Sequence, residues 1–74
     1  MSRPRFFYFT ADLTYWPGAP YEKTIRAMPC SMAWDRPWPP TEGTLRRFLT
    51  RNAKACRLPQ RILKITRPQD EATA

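Results

Sequence analysis

The sequence has no histidine and no valine, and its 74 residues include only two cysteines, two glycines and six acidic side chains. Without histidine the chain lacks the side chain that titrates nearest neutral pH, and the acids do not form an evident catalytic pair. Two cysteines cannot complete a structural zinc site by themselves, and two glycines do not make a glycine-rich phosphate loop. We therefore expect no enzymatic activity, no metal centre and no cofactor.

Long apolar runs are also missing. The basic start of the chain is followed only by the apolar segment Phe6 to Phe9, which is too short for a secretory signal, and nothing later approaches a membrane span. We expect a cytoplasmic protein that does not contact a membrane. In that compartment Cys30 and Cys56 should be reduced thiols.

What the chain has in excess is positive charge. Thirteen lysines and arginines stand against six acids, which gives a net charge of +7. A surplus of this size on one small domain attracts nucleic acid, an anionic membrane or an acidic protein surface. Charge alone does not distinguish these partners.

The hydrophobic pattern predicts a hairpin in the first part of the chain. Residues 6–16 alternate in polarity, as in a half-buried strand, and the segment 17–20 has the proline and glycine of a chain reversal. We expect residues 21–28 to form the return strand. The predicted inward face comprises Phe7, Phe9, Ala11, Leu13 and Tyr15 of the first strand. The predicted shared face of the return strand comprises Tyr21, Lys23, Ile25 and Ala27.

The second part of the chain predicts a loop, a helix and a third strand. Residues 29–40 are rich in tryptophan and proline and predict a long loop. A helix should begin after Thr41 as N-cap and run to about Arg57, and residues 61–66 should form a strand with Leu63 and Ile65 facing inward. The fold class is therefore α+β within residues 1–68, a three-stranded antiparallel sheet in the order strand, strand, helix, strand, with one helix packed on one face. Residues 69–74 should be a disordered acidic tail.

The helix has the clearest periodic signal. Its predicted apolar face comprises Leu45, Phe48, Leu49, Asn52, Ala55 and Cys56, with Cys56 filling the core. Its predicted polar face comprises Arg46, Arg47, Arg51, Lys54 and Arg57, with no acid to neutralise it. This polar face is either a partner-binding surface that uses arginine to pair with phosphate or carboxylate, or a solvated face that keeps the protein soluble.

Two groups of aromatic residues are further candidates. Trp34 and Trp38 are either exposed interface anchors or a lid folded over the small sheet. Phe6 and Tyr8, with Arg3 and Arg5 beside them, combine stacking rings with charge, as nucleic-acid-binding sheets do, and edge-strand packing is the alternative.

The length, the opening Met1-Ser2-Arg3-Pro4-Arg5 with its aromatic strand, and the basic helix resemble small RNA-polymerase inhibitors of lytic bacteriophages. The resemblance implies a non-enzymatic, host-takeover protein that binds polymerase subunits in an infected bacterium and interferes with sigma-factor engagement or promoter use. We expect such a protein to be a monomer on its own. The alternatives are a small basic nucleic-acid-binding protein and a blocker of another host machine such as a CRISPR complex.

Overall fold

The computed structural model describes residues 5–35 and 38–68. Three strands and a helix follow one another as β1 (Arg5–Tyr15), β2 (Lys23–Trp34), α1 (Glu42–Ala55) and β3 (Gln60–Thr66). The sheet has the order β2-β1-β3, and both neighbours are antiparallel to β1. The predicted α+β class, element order and antiparallel sheet are confirmed. The predicted acidic tail, 69–74, lies outside the described residues.

The core forms between β1 and α1. Alternate side chains of β1 point towards the helix, and Phe7, Phe9, Ala11 and Leu13 are all buried. Leu45, which is completely buried, packs against them from α1. The remaining buried apolar residues of this cluster are Met32, Leu49 and Ile65. The alternation in the sequence thus predicts the buried face of β1 correctly, because successive strand residues face opposite sides of a sheet.

The return strand is longer than predicted. β2 continues to Trp34, so the first half of the predicted loop, 29–40, is wrong. Pro29 pairs with Thr10 inside the strand. β2 is an edge strand, and an edge strand accommodates a proline that a central strand would not.

The predicted face of the return strand holds only as far as a bulge in β2. Ala11 pairs with Met28 while Leu13 pairs with Ile25, so β2 has one more residue than β1 over this stretch. Ala27 lies at the bulge with a φ of 52°. Before the bulge, Lys23 and Ile25 pair with Tyr15 and Leu13 and share the helix side of the sheet as predicted, although Tyr21 and Lys23 are exposed. The extra residue reverses the alternation, so Ala27 is exposed and the side chains after the bulge that pack on the core are Met28, Cys30, Met32 and Trp34.

The prediction that Leu63 faces inward is wrong, because β3 also contains a bulge. Asp12 pairs with Lys64 and Leu13 pairs with Ile62, which leaves Leu63 as the extra residue. Leu63 is 43% exposed, whereas Ile62 packs against the core. Ile65 is buried as predicted.

Helix α1 begins as predicted and ends earlier. Thr41 is the N-cap, and its Oγ1 accepts a hydrogen bond from the Thr44 N–H at 3.2 Å. At the other end the Arg57 N–H donates to the Lys54 carbonyl and the Leu58 N–H donates to the Ala53 carbonyl. This pair of bonds is the Schellman arrangement that terminates many helices.

The C-terminal half of the predicted apolar helix face is not buried. Asn52, Ala55 and Cys56 are exposed, so the prediction that Cys56 fills the core is wrong. A cleft of about 250 Å³ lies beside this part of the helix, with Cys56 on the helix side and Met28 and Cys30 on the β2 side. Asn52 and Cys56 line this cleft and therefore remain in contact with solvent.

Candidate binding surfaces

The helix surface, which we define as Arg46, Arg47, Arg51, Lys54 and Arg57, is exposed at all five positions. Its members lie on the side of α1 away from Leu45 and Leu49, as the helical period predicts. The helix therefore presents a row of cations to a partner.

One acid does approach this row, contrary to the sequence expectation. The Glu42 carboxylate lies 3.7 Å from the guanidinium of Arg46, one helical turn away. Arg47 donates a 3.4 Å hydrogen bond to the Thr44 hydroxyl. Among residues 5–35 and 38–68, no other salt bridge involves the helix surface. Most of its charge is thus available to an external acid.

Trp34 lies beside two of the helix cations. The end of β2 and the outer side of α1 enclose a groove of about 390 Å³, in which half-buried Trp34 and Phe48 lie with Arg47 and Arg51. The fold brings these sequence-predicted residues together because β2 extends as far as Trp34. This groove combines an indole ring with two guanidinium groups.

The other helix cations face β3. A broader groove of about 660 Å³ is lined by Arg46, Lys54 and Arg57 together with Arg61. The sequence does not predict that Arg61 borders this groove, because Arg61 lies in a different element. The segment after the helix brings it there, since the chain reverses at Arg57 and Pro59 before β3 begins.

Trp38 lies apart from the helix surface. Its ring meets the ring of Phe7 edge-on, with 5.4 Å between centroids, and the Arg5 guanidinium lies 3.8 Å above the indole. Trp38 is 38% exposed. It therefore covers the start of β1, and it engages Arg5 in a cation–π contact.

The sheet face turned away from α1, which we call the open face, has a different chemistry. Phe6 and Tyr8 alternate with the buried phenylalanines of β1 and are 57% and 66% exposed. Arg61 and Lys64 of β3 pair across from Thr14 and Asp12 on this side. Arg5 belongs to the opposite side of β1, and Arg3 lies outside the described residues, so neither predicted cation is placed beside these rings.

Asp12 is the acid of the open face, and its carboxylate is already engaged. It accepts a 2.8 Å hydrogen bond from the Ala27 N–H and lies 3.3 Å from the Arg26 guanidinium. The backbone hydrogen bond is the largest cause that lowers the pKa of Asp12 below its ordinary value, and Arg26 and Lys64 lower it further. Asp12 consequently remains charged and locally compensated.

The two thiols line one cleft. Cys30 is half-buried and Cys56 is exposed, and both border the cleft between β2 and the end of α1. Burial raises the pKa of the Cys30 thiol, so this side chain is protonated and weakly nucleophilic at neutral pH. Cys30 contributes to packing here.

Comparison of the chain with protein-family models, curated protein sequences and solved structures gave no match. In the described part of the chain, no helix combines the length and the apolar character that a membrane crossing requires. The helix surface and the open face are the two surfaces of the described residues that combine exposed cations with nearby aromatic rings.

Proposed function

We propose that this chain is a non-enzymatic binding protein that attaches to bacterial RNA polymerase through its helix surface and Trp34. In this proposal it inhibits or redirects transcription in the cytoplasm of a phage-infected bacterium, for example by interfering with sigma-factor engagement. The choice of partner depends on the resemblance to small phage polymerase inhibitors, and the exposure of the helix surface beside Trp34 supports the choice of residues.

The observation that supports this proposal most is the shared groove of Trp34, Arg47 and Arg51. Tryptophan and arginine are the side chains most often found at the energetic centres of protein interfaces. A guanidinium can pair with a carboxylate through two parallel hydrogen bonds, and it loses its hydration more readily than an ammonium group. An acidic protein surface with an apolar depression fits this combination.

The same groove favours a protein over nucleic acid as the partner of the helix surface. Base stacking requires an exposed ring face, whereas Trp34 is half-buried between β2 and α1. The helix surface itself contributes guanidinium and ammonium groups and no aromatic ring. Nucleic acid could therefore use its cations for phosphate contact without stacking, while a protein partner can also bury the indole.

A pull-down with the tagged chain tests this proposal. Bacterial lysate is divided into nuclease-treated and untreated samples, and bound material is eluted with increasing salt and identified by mass spectrometry. The proposal predicts that polymerase subunits are retained after nuclease treatment. Recovery of nucleic acid alone, lost on nuclease treatment, would overturn it. Recovery of a different nuclease-resistant machine, such as a CRISPR complex, would overturn the assignment to polymerase.

Replacement of Trp34 tests the anchor in the groove. The Trp34→Ala variant should weaken binding to purified polymerase by at least about tenfold, as expected for a hot-spot residue. Trp16→Ala is the matched control, because Trp16 lies in the hairpin turn, is 37% exposed and does not line the groove of Trp34, Arg47 and Arg51. Trp34→Phe retains apolar volume and serves if the alanine variant does not fold. Equal affinity of all Trp34 variants and the wild type would remove this residue from the interface.

A further inference from the structure

We propose that the open face is a second, independent binding site, and that it binds single-stranded nucleic acid. The site consists of the rings of Phe6 and Tyr8 and the cation Lys64, with Arg61 at the edge of the sheet, where it also borders the helix cations. Apart from Arg61, the site lies on the other side of the sheet from the helix surface. The proposal therefore does not depend on polymerase binding.

The two rings are arranged for stacking. Phe6 and Tyr8 are two residues apart on one strand, which places them about 6.5 Å from each other on the same face. Each ring can therefore accept one base of an unstacked strand. More than half of each side chain is already exposed, so a base replaces water and displaces no protein contact.

Their surroundings leave the rings accessible. On the β2 side they pair with Ala33 and Ser31, whose side chains are small. On the other side the ladder between β1 and β3 ends at the pair Thr10 and Thr66, so no described strand flanks the two rings there. The hollow beside them is lined by Trp38, Pro39 and Pro68 and has a volume of about 410 Å³. An extended strand can approach along this edge.

The charge of the open face complements a phosphate backbone. Lys64 pairs with Asp12, four residues along β1 from Tyr8, which is a distance of about 13 Å. Arg61 lies further in the same direction, and Arg26 compensates the one acid, Asp12. The described part of this face thus has three cations and one carboxylate. A short strand stacked on the rings would place its following phosphates near Arg61 and Lys64.

Other occupants fit this face less well. A second copy docked face to face would bring the same surplus of positive charge against itself, which disfavours association. Duplex nucleic acid keeps its bases stacked inside the helix and does not offer them to the rings. Single strands offer both free bases and phosphates.

Fluorescence anisotropy with a labelled oligothymidylate of about twelve nucleotides tests the proposal, at a salt concentration of about 0.15 M and without any other protein. The wild type should bind this probe and bind a duplex of equal length more weakly. Tyr8→Ala should raise the dissociation constant about tenfold, because stacking on an aromatic ring is lost. Tyr8→Leu, which retains apolar volume without a π face, should have a similar effect and serves if the alanine variant does not fold.

Matched controls separate this site from the helix surface. Tyr21→Ala removes a tyrosine that is 67% exposed in the hairpin turn, where its ring packs edge-on against Trp16 and not beside Phe6 and Tyr8, and should leave affinity unchanged. Lys64→Glu should weaken binding more than Lys54→Glu, although the two variants change the net charge equally. Failure of the wild type to bind, equal affinity of Tyr8→Ala and wild type, or a larger loss in Lys54→Glu would each overturn the proposal. Self-association of the free chain that Tyr8→Ala abolishes, without probe binding, would identify the face as a contact between copies.

Discussion

At the scale of single residues, Asp12 lies beside both bulges of the sheet, the one in β2 and the one in β3. Its carboxylate accepts the N–H of Ala27, which is the residue with positive φ at the β2 bulge. The side chain thus satisfies a backbone donor at the point where the ladder is interrupted.

The acid sensitivity of folding should depend in part on Asp12. The pKa of Asp12 in the folded protein lies below its ordinary value, so its contribution to stability is complete above a pH of about 4 and is lost as pH falls through the folded pKa. Asp12→Asn retains an oxygen that can accept from Ala27 but does not titrate. Melting temperatures measured from neutral pH to about pH 2.5 should therefore fall less steeply for the variant. Parallel profiles for the two proteins would contradict this role.

Arg57 adopts a backbone conformation that suits glycine. Its φ is 52°, at the position that follows the helix cap. A side chain with a Cβ costs about 1–2 kcal/mol in this region, and the greater freedom of glycine in the unfolded chain offsets about 0.4–1 kcal/mol of that. Arg57→Gly should raise the free energy of unfolding by about 0.5–1 kcal/mol. Urea denaturation measures the free energy of unfolding of Arg57→Gly and of Arg57→Ala, which retains the Cβ. Equal free energies for the two variants would show that the cap is not strained.

At the level of elements, the strand and helix with regular periods could be predicted from the sequence. The alternation of Phe7 and Phe9 with polar neighbours identifies the buried face of β1, and Thr41 identifies the start of α1. Both signals are local, since each depends on residues a few positions apart. Element order and fold class follow from them.

The edge strands could not be predicted in the same way. Their bulges are set by pairing with β1, and one extra residue reverses the face of every later side chain. That reversal turns Leu63 outward, and in β2 it carries Trp34 to the helix side. The groove between Trp34 and the helix surface therefore depends on the pairing of β2 with β1, which joins residues far apart in the sequence. The arginines of α1 could be predicted from the helical period, but their neighbour Trp34 could not.

A pair of leucine substitutions tests the helix phase and the β3 bulge together. Leu45→Ala removes a completely buried side chain and should destabilise the protein by about 2–5 kcal/mol. Leu63→Ala removes a side chain that is 43% exposed and should cost less than about 1 kcal/mol. Both values come from chemical denaturation. A comparable loss in the two variants would mean that Leu63 faces the core.

At the scale of the whole molecule, the sheet separates two surfaces of different chemistry. α1 occupies one side and presents its cations outward beside Trp34, while the open face presents rings and cations on the other side. The two proposals therefore assign the acidic protein and the nucleic-acid strand to different sides of a chain with a net charge of +7, with only Arg61 bordering both. Steep salt dependence should characterise the nucleic-acid contact more than a protein interface with a buried indole.

The central claim is that the helix surface binds polymerase. Its most direct test is a binding titration of nuclease-treated, purified bacterial RNA polymerase at about 0.15 M salt. The double variant Arg47→Glu with Arg51→Glu is compared with the double variant Lys23→Glu with Lys64→Glu, which changes the net charge equally at exposed strand positions that line no groove with the helix cations. Circular dichroism checks that both variants fold. We expect the wild type to bind and the helix variant to lose at least about tenfold more affinity than the strand variant. No binding by the wild type, or equal losses in the two double variants, would contradict the account.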